Sequence, residues 1–273
     1  MSLLSKIADR LILCPSTDPI DAGENRRETI FSSAGVEIEA WVSRWGDFDN
    51  ASPSERLVVM KIPGTGGRAE RGSAHPCELM IGPHKKSAFK AAEVWTLNHR
   101  GYGNSTGPAS IQNFTSTLES FWSCIEQRFP GEKKLAIGNS LGCISVLYLG
   151  LCKSIDAILI RNPPPLQRII SDRPRYNWWN FGFAKWIANE IPESLDSIHN
   201  ASLAKCPALM VTSEKDKVVP TKYQNEIRDA YLGEIKQFVI EGADHHHKIP
   251  QHQESEYLAA IDWLYEMLSD SNR

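Results

Sequence analysis

With 273 residues, 41% of them hydrophobic and 23% charged, the chain has enough apolar material for a sizeable core in one large α/β domain. Its formal net charge of -3 supplies no broad basic field, which argues against nucleic acid or an anionic membrane as partner and for a small-molecule ligand. Six cysteines (Cys14, Cys77, Cys124, Cys143, Cys152 and Cys206) follow no paired spacing, so reduced thiols and a cytoplasmic location are expected.

From Met1 to Leu13, Leu3, Leu4, Ile7, Ala8, Leu11 and Ile12 recur at helical spacing, with Lys6, Asp9 and Arg10 on other faces. This predicts an amphipathic helix. The charges interrupt any signal-peptide core, and no apolar run approaches the ~20 residues that span a bilayer, so no transmembrane segment is expected. Packing on the protein body is the simpler role for this helix, with surface docking on a membrane as the alternative.

Residues Glu28 to Ser43 alternate around Ser33-Ala34-Gly35 and place Val36, Ile38, Ala40 and Val42 on one face, which predicts an antiparallel hairpin. The pattern then changes to short, continuously apolar runs at Leu57 to Ile62, Val94 to Leu97, Leu135 to Ile137, Ala157 to Ile160, Ala208 to Val211 and Phe238 to Ile240. Such runs suit strands buried on both faces. Helical periodicity separates several of them, at Phe114 to Phe129, Leu141 to Leu151, Lys222 to Leu232 and Glu254 to Leu268. The expected fold is therefore α/β, a mostly parallel central sheet covered by helices on both faces.

One stretch breaks the alternation. Residues 163–205 begin Pro163-Pro164-Pro165 and carry Trp178, Trp179, Phe181, Phe183 and Trp186. They read either as a small helical cap over the ligand crevice, inserted into a single domain of residues 1–273, or as a satellite core on the sheet.

The chemistry centres on Gly138-Asn139-Ser140-Leu141-Gly142, which follows an apolar strand and precedes an apolar helix. A serine on so sharp a turn takes a strained backbone, and glycines at either side let strand and helix pass closely. The bland reading is a serine in a glycine-bounded turn, but acid and histidine candidates follow it in the order a nucleophile needs. A serine hydroxyl requires a base, histidine is the natural one near neutral pH, and a carboxylate fixes its tautomer. Asp216, in the loop after the next-to-last core strand, is the acid candidate, with Glu214 beside it. His245, in the loop after the last strand, is the base candidate, with His246 as the alternative. The run His245-His246-His247 has no third ligand or carboxylate at metal-binding spacing, so neither a metal nor a cofactor is expected. His75, His84 and His99 lie near the presumed substrate face without a required role. Gly64-Thr65-Gly66-Gly67 lacks the following lysine of a phosphate-binding loop.

At these residues the chain resembles the α/β-hydrolase superfamily, particularly its capped esterase, lipase and aminopeptidase-like serine hydrolases. The likeness rests on Gly138 to Gly142, on Asp216 followed by Val218-Val219-Pro220, on Gly242-Ala243-Asp244-His245, and on the turn Asn98-His99-Arg100-Gly101-Tyr102-Gly103-Asn104-Ser105. Pro63 stands where that family often has histidine, and Asp244 where it often has glycine. The resemblance implies an oxyanion hole from the backbone amides of Thr65 and Leu141, and hydrolysis of an ester, thioester or amide through an acyl-enzyme. A non-catalytic binder of the same fold and a lyase using the same groups remain alternatives. The aromatic cap suggests an apolar acyl or aryl substrate.

Overall fold

The computed structural model describes residues 3–31, 35–81, 88–172 and 183–270. β1 (Arg26–Phe31) pairs antiparallel with β2 (Glu37–Trp45), with Ile30 opposite Ile38, as the alternating pattern predicts. Positions 33 and 34 of the expected turn lie outside the described residues. β2 pairs antiparallel with β4 (Ala91–Leu97), and from there every pairing is parallel: β4 with β3 (Arg56–Ile62), then β5 (Lys133–Asn139), β6 (Ala157–Arg161), β7 (Ala208–Ser213) and β8 (Ile235–Ile240). The order across the eight-stranded sheet is β1-β2-β4-β3-β5-β6-β7-β8.

The continuously apolar runs are strands covered twice. On β3, Val58, Met60 and Ile62 face one core while Leu57 and Val59 face the other. The first core lies under α3 (Phe114–Arg128), α4 (Gly142–Cys152) and α8 (Thr221–Ala230), through residues such as Phe121, Leu147 and Ile227. The second lies under α2 (Cys77–Met80) and α9 (Glu254–Ser269), through Met80, Ile261 and Leu264. α4 is apolar nearly all round because α3 and α7 (Ser197–Leu203) cover the sides that the sheet leaves open. No helix among the described residues is long and apolar enough to cross a membrane.

α1 (Leu3–Ile12) forms where its periodicity predicts and packs against α6 (Phe183–Asn189), which in turn packs on α5 (Leu166–Asp172). Within residues 163–205, Leu166, Ile169, Ile170 and Ile187 line a cavity above the sheet's C-terminal edge, and Ile170 and Ile187 also join the first core together with Ala188, Ile191, Leu195 and Ala201. Of the aromatic residues, Trp178, Trp179 and Phe181 lie outside the described residues, and Trp186 is 60% exposed.

Candidate active site

Ser140 sits between the end of β5 and the start of α4 with φ of 50°, in the left-handed region that costs an L-residue energy. Its N–H donates to the Arg161 carbonyl at 2.8 Å and its carbonyl accepts the Cys143 N–H at 2.9 Å, so both neighbours hold the strained turn. The flanking glycines are a steric requirement. A Cβ on Gly138 would lie 2.8 Å from the backbone nitrogen of Cys143, and one on Gly142 would drive into the Ile62 carbonyl. Cys143 is no rival nucleophile: burial pushes its thiol well above the ordinary range.

Thr65 and Leu141 line the same cavity as Ser140. The Leu141 amide lies at the start of α4, where backbone donors have no intrahelical acceptor. Neither the Thr65 nor the Leu141 N–H has an acceptor among the described residues. Every other polar group of Thr65 is engaged: its hydroxyl donates to the Ile12 carbonyl, and its carbonyl accepts the Tyr102 hydroxyl at 2.8 Å and the Cys14 N–H at 3.3 Å. The rest of the cavity is aliphatic, with Leu11 and Ile12 of α1 facing α5 and α6 and with Val218 and Val219 beside them; its volume is about 180 Å³.

Asp216 and His245 meet at the C-terminal ends of β7 and β8, with Asp216 Oδ2 2.6 Å from His245 Nδ1 and both side chains buried. The other oxygen, Oδ1, accepts the N–H groups of Val218 and Val219, each at 2.8 Å. The loop-capping and histidine-orienting roles of Asp216 therefore coexist on separate oxygens. Glu214 is exposed and accepts the Gly242 N–H at 2.6 Å, while His246 is exposed and touches the His245 ring edge to face at 4.8 Å. Asp244 Oδ1 accepts the His245 N–H at 2.7 Å, which stiffens the turn and holds the Asp244 carboxyl below its ordinary range. His247 Nδ1 accepts the Asp244 N–H at 3.2 Å.

The structure thus brings acid and histidine together and places serine, Thr65 and Leu141 on one cavity. No hydrogen bond joins the Ser140 hydroxyl to His245 among the described residues. The two are linked through β6 instead: Ser140 N–H bonds to the Arg161 carbonyl, and the next residue, Asn162, donates through Nδ2 to the His245 carbonyl at 3.1 Å. Asn162 has φ of 52° and is fully buried, and its Oδ1 accepts the Ser213 N–H at 2.9 Å. Gln224, on α8, donates to Asp216 Oδ2 at 3.3 Å and to the Val219 carbonyl at 2.7 Å. Sequence reasoning missed both. Gln224 has no signal, and Asn162 has only the tolerance of asparagine for positive φ just before three prolines.

The turn after β4 braces the loop that carries Thr65. Asn98 accepts the Ala69 N–H at 2.8 Å and donates to Glu39 at 2.8 Å and Glu70 at 3.0 Å, all in the interior. Burial opposes ionisation of Glu39, but hydrogen bonds from Asn104, Asn98 and Arg27 outweigh it and hold the carboxyl below its ordinary value. Burial pushes the Tyr102 phenol, which bonds Thr65, up to about 12.

The α/β hydrolase fold family matches residues 58–184. A lysophosphatidylserine lipase of Danio rerio, ABHD12, is 26% identical over 241 residues, an alignment covering 77% of this chain but 60% of that protein. The esterase Pf2001 of Pyrococcus furiosus superposes with a TM-score of 0.66 at 14% identity, covering 94% of this chain and 99% of the esterase. An acylaminoacyl peptidase of Pyrococcus horikoshii gives a TM-score of 0.63 at 14% identity, covering 92% of this chain and 42% of the peptidase. With its strand order, its family match and these structural neighbours, the chain has the α/β-hydrolase fold.

Proposed function

We propose that this protein is a carboxylesterase-like serine hydrolase that cleaves an ester, thioester or amide of an aliphatic acyl group through an acyl-enzyme intermediate. One observation carries the reading: a strained serine and two unbonded backbone amides share the mouth of a cavity whose other walls are aliphatic. Ser140 Oγ attacks the acyl carbonyl, and His245 Nε2 takes the hydroxyl proton while Asp216 holds Nδ1 and so fixes the tautomer. The Thr65 and Leu141 amides receive the negative charge that develops on the carbonyl oxygen, a contribution of about 3–4 kcal/mol per donor. His245 then returns the proton to the leaving group, and water deacylates the enzyme. The contact between Ser140 and His245 forms as substrate fills the cavity, since such hydrogen bonds often tighten only in the substrate complex.

A fluorophosphonate probe tests this reading. Ser140 is expected to label at neutral pH, and the label is expected to vanish in Ser140→Ala and to slow strongly in His245→Ala. The absence of a hydrogen bond between the Ser140 hydroxyl and His245 among the described residues favours one competitor, a binder without turnover; absence of labelling in the unmodified protein would favour that competitor. The cavity volume lies below the ~300–1,000 Å³ of drug-sized sites, so p-nitrophenyl esters of rising chain length should show an optimum and then a decline. Single-chain acyl esters come first in such a series, because the Danio rerio relative is by name a lysophosphatidylserine lipase.

A further inference from the structure

A second cleft, of about 760 Å³, opens between the segment leading into α2 (Ser73, His75), the loop that continues from His245 (Lys248, Ile249) and α9 (Tyr257), with Arg161 in its wall. Arg161 ends β6, on the face where Ala157 and Leu159 pack into the second core. One of its amino groups donates to the His247 carbonyl, and its Nε is buried without a partner among the described residues. No carboxylate pairs with it, although every Asp and Glu side chain of the chain belongs to the described residues. A half-buried guanidinium with a buried Nε and no counter-charge is an unusual arrangement, because taking an unpaired charge even partly out of water is costly. Burial lowers its proton affinity from the ordinary arginine value, while the facing Tyr257 acts weakly in the opposite sense.

The surrounding charges do not cancel it. Lys248 lines the cleft from an exposed position, and Lys61 projects from β3 onto the same face of the sheet, its Nζ bonded to the carbonyls of Ser73 at 3.1 Å and His75 at 2.9 Å. On the acidic side, Glu78 is already taken by His75 at 2.8 Å, which leaves exposed Glu254 as the remaining carboxylate of the wall. His75 also meets the Tyr257 hydroxyl at 3.3 Å. The balance is positive. Leu79, Ile249 and Leu258 add an apolar side large enough for more than a bare ion.

We propose that this cleft binds a phosphate group, with the Arg161 guanidinium as its anchor and Lys248 as a second contact. The planar guanidinium matches two phosphate oxygens at once, and a multiply charged phosphate suits several cations better than a single carboxylate does. Arg161 also contacts both halves of the candidate site, through its carbonyl to Ser140 and through its side chain to the His245–His247 loop, so the bound anion sits beside the acyl site.

Isothermal titration calorimetry of the full chain in low-salt buffer tests this directly, with inorganic phosphate and glycerol 3-phosphate as separate probes. Saturable one-to-one binding is expected, weakened about tenfold or more by either Arg161→Gln or Lys248→Gln. Equal affinity for the two probes assigns free phosphate as the ligand; tighter binding of glycerol 3-phosphate assigns a phosphate ester. The absence of saturable binding, or binding left unchanged by the substitutions, overturns the proposal. Should the half-buried substitution at 161 fail to fold, the exposed one at 248 decides. The measurement requires no turnover, so its result is independent of the hydrolase reading.

Discussion

Gln224 and Asn162 each hold one member of the acid and histidine pair, and neither lines the cavity beside Ser140. Gln224 steadies the carboxylate of Asp216, and Asn162 steadies the backbone of His245. Gln224→Ala and Asn162→Ala are each expected to lower kcat by about 10- to 100-fold with KM nearly unchanged, because they disturb alignment and leave the acyl cavity intact. A rise in KM at constant kcat would instead place these residues in substrate binding. His99 supplies a prediction of a different kind. Its ring stacks on Phe114 at 3.8 Å, and burial lowers its pKa from 6.5 to about 3. Between those values the unfolded chain takes up a proton that the native ring refuses, so stability falls as pH drops through that window, by up to about 1.4 kcal/mol per pH unit. His99→Phe, which keeps the stacking and removes the titration, should flatten this slope in urea unfolding measured between pH 6.5 and about pH 4; parallel curves for the two proteins would remove His99 as the cause. At this scale the sequence nominated Ser140, Asp216 and His245 as candidates because each follows a strand in a fixed chain order. It did not reveal Gln224, Asn162 or Arg161, whose roles arise only when distant strand ends are side by side.

α1 shows how far periodicity reaches and where it stops. The spacing of Leu3, Ile7 and Leu11 announced a helix, but its position as a wall of the cavity beside Ser140 depends on α6 and on Thr65, neither of which leaves a mark in the first thirteen residues. The hydroxyl of Thr65 bonds the end of α1, and buried Asp9 accepts the Ile111 N–H at 2.8 Å, so the helix is attached at two places. Removal of residues 1–13 is expected to preserve the far-UV circular dichroism of the sheet while reducing kcat/KM for a hexanoyl ester by about tenfold relative to an acetyl ester, since Leu11 and Ile12 contact only the longer chain. An equal loss for both esters would show that α1 supports the fold and does not select the substrate. The helices over the sheet were legible for the opposite reason: α3, α8 and α9 each carry their own apolar stripe, so local pattern and final packing agree.

Across the whole molecule, the sheet separates two cores and joins them at every central strand. Native-state hydrogen exchange should therefore show β3, β5, β6 and β7 exchanging together and only through global unfolding, with α1, α5 and α6 opening locally at lower cost. Protection of α6 equal to that of β5 would contradict this division. Continuous apolar runs were enough to predict a parallel, twice-covered sheet, because a strand with two buried faces has no other composition available. They could not predict which side chains of residues 163–205 would line the cavity, since an aliphatic side chain serves equally well in a cavity wall or in a core, and Ile170 and Ile187 do both. The docking of α1 has a consequence for biosynthesis. Asp9 finds its donor, the Ile111 N–H, 102 residues further on, and the helix rests against α6, which lies later still. A nascent chain thus exposes an oily amphipathic stripe throughout elongation until the segments that seat it have been translated.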